Sequence, residues 1–428
     1  MPTAELGLGG DQRATTRSLL IGAGSLVSGT LVARLLAYVF MLLMARGLTR
    51  AGFGALVIIT ASGLVLSNPV TNSFPFALAR FLPLANGDER DRVVQRAALG
   101  TSVFLVLMIP FAILAAQIGS VPVWPLLVVT AGLSVDGLYF GILQGLQEIN
   151  VMASYRVVAN GAQLVIAITL LAFGVRSPTT YGLLYGFVYL PAIAMAELWR
   201  RRASGPSAAM AEAGRHHSAS VQELVRFSVP TLLYGSLWGV FLGLDVFLLG
   251  YLSRHSVPDY GVARLVALPA ELLPVGIATV ALPRFAGASQ AGRKHLLGQV
   301  VRLAIVTAVI TVGAIEVGGQ VIVTIFFPAS YHGATKILRV MLPAYGAIGV
   351  YAVLSAWFQG VGRPWTAVGP LLGGASLAVA LQLLLTRSLG GLGPAIGNLG
   401  GAAVALTLLI YFYFRSRPVV GVLPGWVE

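Results

Sequence analysis

The chain has 428 residues, of which 57% are hydrophobic and only 10% charged, with a mean hydropathy of +0.85. That balance lies far outside the range of soluble domains and fits an integral membrane protein. The lack of cysteine rules out disulfides, thiolate catalysis and cysteine-ligated metals, and the net charge of +13 falls mainly in short loops, as topology signals do, with no sign of nucleic-acid binding.

In chain order, residues 1–17 are polar and glycine-rich and read as a cytoplasmic tail. Twelve apolar spans follow, near 18–43, 53–76, 95–117, 121–145, 152–174, 179–199, 226–250, 260–282, 298–318, 335–358, 365–386 and 393–414. A helix needs about 20 apolar residues to cross the roughly 30 Å hydrocarbon core, so each qualifies. The first span is too long for a removable signal peptide, lacks a small-residue cleavage site, and reads as a retained helix. The longest connection, 200–222, carries Arg200-Arg201-Arg202 and a His216-His217 pair with no third metal ligand. It joins an N-terminal bundle, 18–199, to a C-terminal bundle, 223–417, with 418–428 as a tail. No metal site or catalytic group is expected, since the remaining loops are too short to fold into a catalytic domain.

With the N-terminus inside, the cytoplasmic side carries Arg13, Arg17, Arg80, Arg90, Arg92, Arg96, Arg156, Arg200, Arg201, Arg202, Arg215, Arg226, Arg284, Arg293, Lys294, Arg363, Arg415 and Arg417. The other side carries only Arg46, Arg50, Arg176, Arg254, Lys336 and Arg387. Eighteen against six predicts both termini in the cytoplasm and a multi-pass protein of the inner (cytoplasmic) membrane.

The second six spans echo the first at an offset of 207. Tyr38-Val39-Phe40 aligns with Asp245-Val246-Phe247 and Phe53-Gly54 with Tyr260-Gly261, and after a three-residue slip Ala77-Leu78-Ala79-Arg80-Phe81 meets Ala281-Leu282-Pro283-Arg284-Phe285. Gln144-Gly145-Leu146 likewise matches Gln359-Gly360-Val361. Duplicating an even number of spans yields two halves of the same orientation around an axis along the membrane normal, with a cavity where they meet. The expected fold is therefore all-α, two parallel six-helix bundles.

The run Arg34-Leu-Leu-Ala-Tyr-Val-Phe, then Ala45-Arg46-Gly47-Leu48 and Gly52-Phe53-Gly54, with Ala-Arg-Phe closing the second span, resembles the Wzx-type polysaccharide flippases of the multidrug/oligosaccharidyl-lipid/polysaccharide exporter superfamily. Asp245-Val-Phe-Leu-Leu-Gly, Asp259-Tyr260-Gly261-Val-Ala263 and Pro283-Arg284 look like that family's seventh and eighth helices. The resemblance implies a V-shaped, MATE-like bundle that moves an undecaprenyl-pyrophosphate-linked oligosaccharide from the inner to the outer leaflet. It implies membrane lipids, a glycan polymerase and glycosyltransferases as partners, and no cofactor, with coupling to Na⁺ or H⁺ left open. The alternatives are a cation-coupled multidrug exporter of the same superfamily and a lipid II flippase, which usually has two further helices. A membrane glycosyltransferase would need an acidic outer loop, and Asp259 is the main acid on that side.

A charge at mid-span costs about 2.5–3.5 kcal/mol on insertion scales, so it faces a partner or a wet cavity. Arg34, Asp136, Asp245, Arg264, Glu271, Arg302, Glu316 and Arg339 are the candidates. Arg34 cannot shed its proton and needs an anion, either a substrate pyrophosphate or Asp136. Glu271 either pairs with Arg34 across the cavity or titrates as a coupling site. Asp245 with Arg264, and Glu316 with Arg339, read as ion pairs or gates. Arg80 and Arg284 sit at equivalent inner ends of spans two and eight, as anchors or as receivers of an anionic headgroup. Pro69 and Pro75 in span two, with Pro269 and Pro274 in span eight, remove backbone donors in equivalent helices and read as hinges or static kinks. The stripes Gly235/Gly239/Gly243 and Gly393/Gly397/Gly401 are packing surfaces.

Overall fold

The computed structural model describes residues 29, 31–82, 87–146, 148–203, 221–287 and 290–415. The two tails and residues 204–220 of the predicted linker lie outside the described residues. Among those described there is no strand.

The first half consists of α1 (31–47), α2 (Arg50–Phe81), α3 (Gly87–Gly119), α4 (Val123–Gly145), α5 (Ile149–Ala172), α6 (Pro178–Phe187) and α7 (Tyr189–Ala203). Local chemistry sets several starts. Thr49 accepts from the Gly52 amide to cap α2 at 3.1 Å, and Ser177 caps α6, where Pro178 fills a position that needs no amide hydrogen. Helices α6 and α7 follow one another across Val188 and together form the sixth predicted span. The second half begins with α8 (Val221–Gly239), which passes through a π-helical turn at Val240–Leu244 into α9 (Asp245–Leu252). Next come α10 (Val257–Ala267), α11 (Pro269–Gly287), α12 (Gln290–Phe326), α13 (Ala334–Gly360), α14 (Trp365–Leu389) and α15 (Leu392–Arg415).

Ten of these helical stretches are long and apolar enough to cross a membrane, and the α10–α11 pair, bent by 47°, makes an eleventh. Helix α1 stands in the place of the first predicted span. The repeat is visible in the boundaries. Arg50 opens α2 and Val257 opens α10; Gly119 closes α3 and Phe326 closes α12; both pairs keep the offset of 207. The paired prolines behave differently, however. Pro69 and Pro75 lie inside an unbroken α2, while Pro269 marks the bend between α10 and α11.

Helices α3 and α12 form flanks coated in exposed apolar side chains, among them Val106, Leu107, Val309, Ile310 and Val317, as lipid contact requires. Inside, small residues permit backbone contact. On Gly401 an added Cβ would lie 2.5 Å from the Gly374 carbonyl oxygen, which is how α15 seats on α14, and on Gly243 it would lie 2.6 Å from the Ala61 carbonyl of α2. The tightest approach joins α4 and α6, where a Cβ on Gly132 would stand 2.1 Å from the Gly186 carbonyl oxygen. Gly132→Val should therefore cost at least about 2 kcal/mol through overpacking. Gly298→Ala, in open space on α12, should leave stability level or raise it by up to about 1 kcal/mol. Thermal unfolding of the purified protein in detergent checks both.

The cores locate the join between the halves. The largest includes Phe53, Ile58 and Ile59 from the first half and Leu249, Val257, Tyr260 and Met341 from the second. Toward the other end of the helices the halves keep separate cores, around Leu78, Leu82, Tyr139 and Met152 in the first, and Trp238, Phe285 and Phe358 in the second. A common core at one end and private cores at the other describe two bundles splayed apart.

Candidate functional site

The closed end is fastened by polar contacts between the halves. Arg46 donates through Nε and Nη2, each at 2.8 Å, to the Phe326 and Ile325 carbonyls, which end α12 and have no partner in their own helix. Arg50 meets Asp259 at 2.7 Å and lies 5.9 Å over the Tyr331 ring, and the Tyr331 hydroxyl donates to the Ala45 carbonyl at 3.3 Å. Arg254 donates to the Ser120 carbonyl at 3.3 Å. By loop position alone Arg46, Arg50 and Arg254 are orientation signals and Asp259 is the main acid on their side; folded, they form the clasp. The chain has no cysteine of its own, so Arg50→Cys with Asp259→Cys can be bridged by a reductant-cleavable dithiol linker. Bridging should stop transport, and reduction should restore it.

Below the clasp the halves touch along α2 and α8–α9, through Ile58 against Gly250, Val65 against Gly243 and Asn68 against Gly239. Helix α1 lies instead on α5, with Gly29 against Ala153 and Gly161 against Leu36, so the two helices run parallel. Arg34 sits on this stretch of α1. Its side chain is exposed, forms no hydrogen bond or ion pair with the described residues, and feels the charges of Arg156 from its own half and Glu271 from the other. The exposed guanidinium thus stands within electrostatic reach of both halves.

Asp136 does not pair with Arg34. It is buried in α4 and taken by Arg156 of α5, which donates through Nε at 3.2 Å and Nη2 at 2.6 Å, and by the Tyr155 hydroxyl at 2.8 Å. The Arg156 guanidinium also stacks 4.1 Å from the Phe140 ring centroid. In sequence Arg156 counted among the cytoplasmic anchors; α5 starts at Ile149, which puts it about two turns inside the helix. The signal was available, because a mid-span Asp136 needs a cation and Arg156 lies one helix hairpin away.

Glu271 is buried just past the α10–α11 bend, and its Oε2 has no hydrogen-bond partner. It lies within electrostatic reach of Arg34 and Arg264 without bonding to either. The expected Asp245–Arg264 contact is no salt bridge. Arg264 donates to the Leu242 carbonyl, which lies in the π-helical turn. Asp245 instead accepts from the Tyr260 hydroxyl at 2.5 Å and the Asn398 amide at 2.8 Å, and Gln382 donates to Asn398 at 2.8 Å. Glu316 and Arg339 do meet, at 3.4 Å, on an exposed flank away from the cleft. Arg284 is exposed at the splayed end; the Arg80 side chain lies outside the described residues. No cluster of metal-ligating side chains occurs among the described residues.

Residues 19–289 match the family described as polysaccharide biosynthesis protein, more than half of the chain. The chain belongs to that family. No curated protein matches it at a significant level. Among solved structures, this member of the polysaccharide biosynthesis family is similar to the lipid II flippase MurJ in an inward closed conformation, with a TM-score of 0.68 at 14% identity over 94% of this chain and 93% of that one. It is also similar to an inward-facing multidrug resistance MATE transporter of the MOP superfamily, at 0.67 and 14% over 93% and 98%. An outward-facing MATE transporter scores 0.65 at 14% over 94% and 96%. The fold is thus the all-α membrane fold of these solved structures.

Proposed function

We propose that the chain is a flippase carrying a polyprenyl-pyrophosphate-linked oligosaccharide from the inner to the outer leaflet by alternating access, for polysaccharide assembly. The observation that carries this is Arg34, a permanently charged group within reach of both halves, with no partner among the described residues and a second guanidinium in its field. Such a group is costly until an anion arrives, and a pyrophosphate offers the charge and the oxygens to meet its planar donors. Leu31, Leu35 and Val39 recur four apart on the exposed side of α1 next to Arg34, so one helix presents a cation for the headgroup and an apolar track for the polyprenyl tail. The clasp at the far end supports a starting state open to the cytoplasm. Lipid II carries the same pyrophosphate linkage, and the sugars decide between the two lipids. A glycan polymerase and glycosyltransferases would be the neighbours in the pathway.

One feature favours the multidrug alternative. The unpartnered Oε2 of Glu271 suits a bound cation, or a proton or Na⁺ used for coupling. Cells in which the chain is depleted decide between the readings. Lipid-linked sugar should accumulate on the inner leaflet and return to the outer one on re-expression. Unchanged sugar topology together with new sensitivity to cationic compounds would reject the flippase.

A further inference from the structure

We propose that Arg156 is a second ligand for the substrate's anionic headgroup, so that Arg34 and Arg156 bind a diphosphate as a pair inside the first half of the protein. This rests on the reading of Arg34 as an anion ligand. The geometry points to it in three ways. The contacts of Gly29 with Ala153 and of Leu36 with Gly161 set the Arg34 and Arg156 stretches side by side, each charge acts on the other, and two guanidiniums on neighbouring parallel helices repel unless an anion bridges them. Arg156 is also held ready: Nε and Nη2 fork onto Asp136, the guanidinium carbon lies 4.1 Å from the Phe140 ring centroid, and Nη1 has no hydrogen-bond partner among the described residues. Its side chain is 25% exposed while that of Asp136 is 9% exposed, so the open edge of the pair belongs to the arginine.

The third observation is on the same helix. Asn160 and Gln163 follow Arg156 at the i+4 and i+7 places and share its face. Asn160 donates to the Arg156 carbonyl at 2.8 Å, and both amide atoms of Gln163 are buried with no partner. An unmet amide two turns beyond a half-met guanidinium, on the same face of a helix in a bilayer, calls for a polar occupant beside it. Asp136, Tyr155 and Phe140 are then positioning residues, which hold the fork without touching the ligand.

A site with two guanidiniums prefers a diphosphate to a monophosphate, and that preference is what a merely structural Arg156 would not supply. The test measures binding of inorganic pyrophosphate and inorganic phosphate to the full chain in detergent. The wild type should favour pyrophosphate by about tenfold or more, the scale of one added charge-assisted bidentate contact. The doubly neutral variant Arg156→Gln with Asp136→Asn keeps the shape of the pair without a lone buried charge. It should bind phosphate as the wild type does and lose the preference for pyrophosphate. Arg156→Lys, which keeps the ion pair but not the free edge of the fork, should lose most of the preference too and provides the readout if the double variant does not fold. An undiminished preference in either folded variant overturns the role of Arg156. If Arg34→Gln binds both anions as the wild type does, the reading of Arg34 itself falls, and with it this proposal; loss of both anions in Arg34→Gln beside an unchanged Arg156→Lys removes only the second ligand.

Discussion

Arg34→Ala should leave the protein inserted and folded but abolish the appearance of lipid-linked sugar in the outer leaflet. The side chain forms no hydrogen bond or ion pair with the described residues, so truncating it strands no buried partner among them, and it removes a charge that is costly at mid-membrane. Stability should hold or rise while function disappears, which separates a ligand from a structural residue. Arg34→Lys should recover only part of the transport, because an ammonium keeps the charge and gives up the planar fork. Sugar accessibility measured at equal levels of inserted protein is the check, and full transport by Arg34→Ala would remove the residue from the site.

Asp136→Ala should behave in the opposite way. The carboxylate holds Arg156 through two hydrogen bonds and accepts a third from Tyr155; removing it leaves a half-buried guanidinium without a counter-charge at a cost of about 3 kcal/mol. Detergent melting temperature should fall sharply. Asp136→Asn with Arg156→Gln should regain most of the loss, since neither charge is then left alone. Equal losses in the single and double variants would mean that shape, not charge, holds α4 to α5.

Much of the architecture was legible because a bilayer imposes it. Apolar length marks the spans, and the 207-residue echo reappears in the helix boundaries at Arg50 and Val257, and at Gly119 and Phe326. Arg34 could be singled out because a mid-span arginine is rare and expensive. Partners across helices were harder to read. Loop counting assigned Arg156 to the membrane surface, and only the start of α5 at Ile149 carries it to Asp136. Asp245 and Arg264 both sit near the outer ends of adjacent spans, which suggests a pair, but neutral donors from Tyr260 and Asn398 satisfy the carboxylate. Asn398 lies 153 residues away, and no local pattern joins the two. The clasp residues Arg46, Arg50 and Arg254 carry the right chemistry, but their acceptors are mostly backbone carbonyls, which no sequence pattern advertises.

The most direct measurement places the purified chain in vesicles with a fluorescent polyprenyl-pyrophosphate-linked oligosaccharide and adds a membrane-impermeant quencher. With the wild type, the lipid initially confined to the inner leaflet should become quenchable, and with Arg34→Ala only the fraction already outside should be. Quenching that proceeds equally with the wild type, with Arg34→Ala and with no protein would contradict the account.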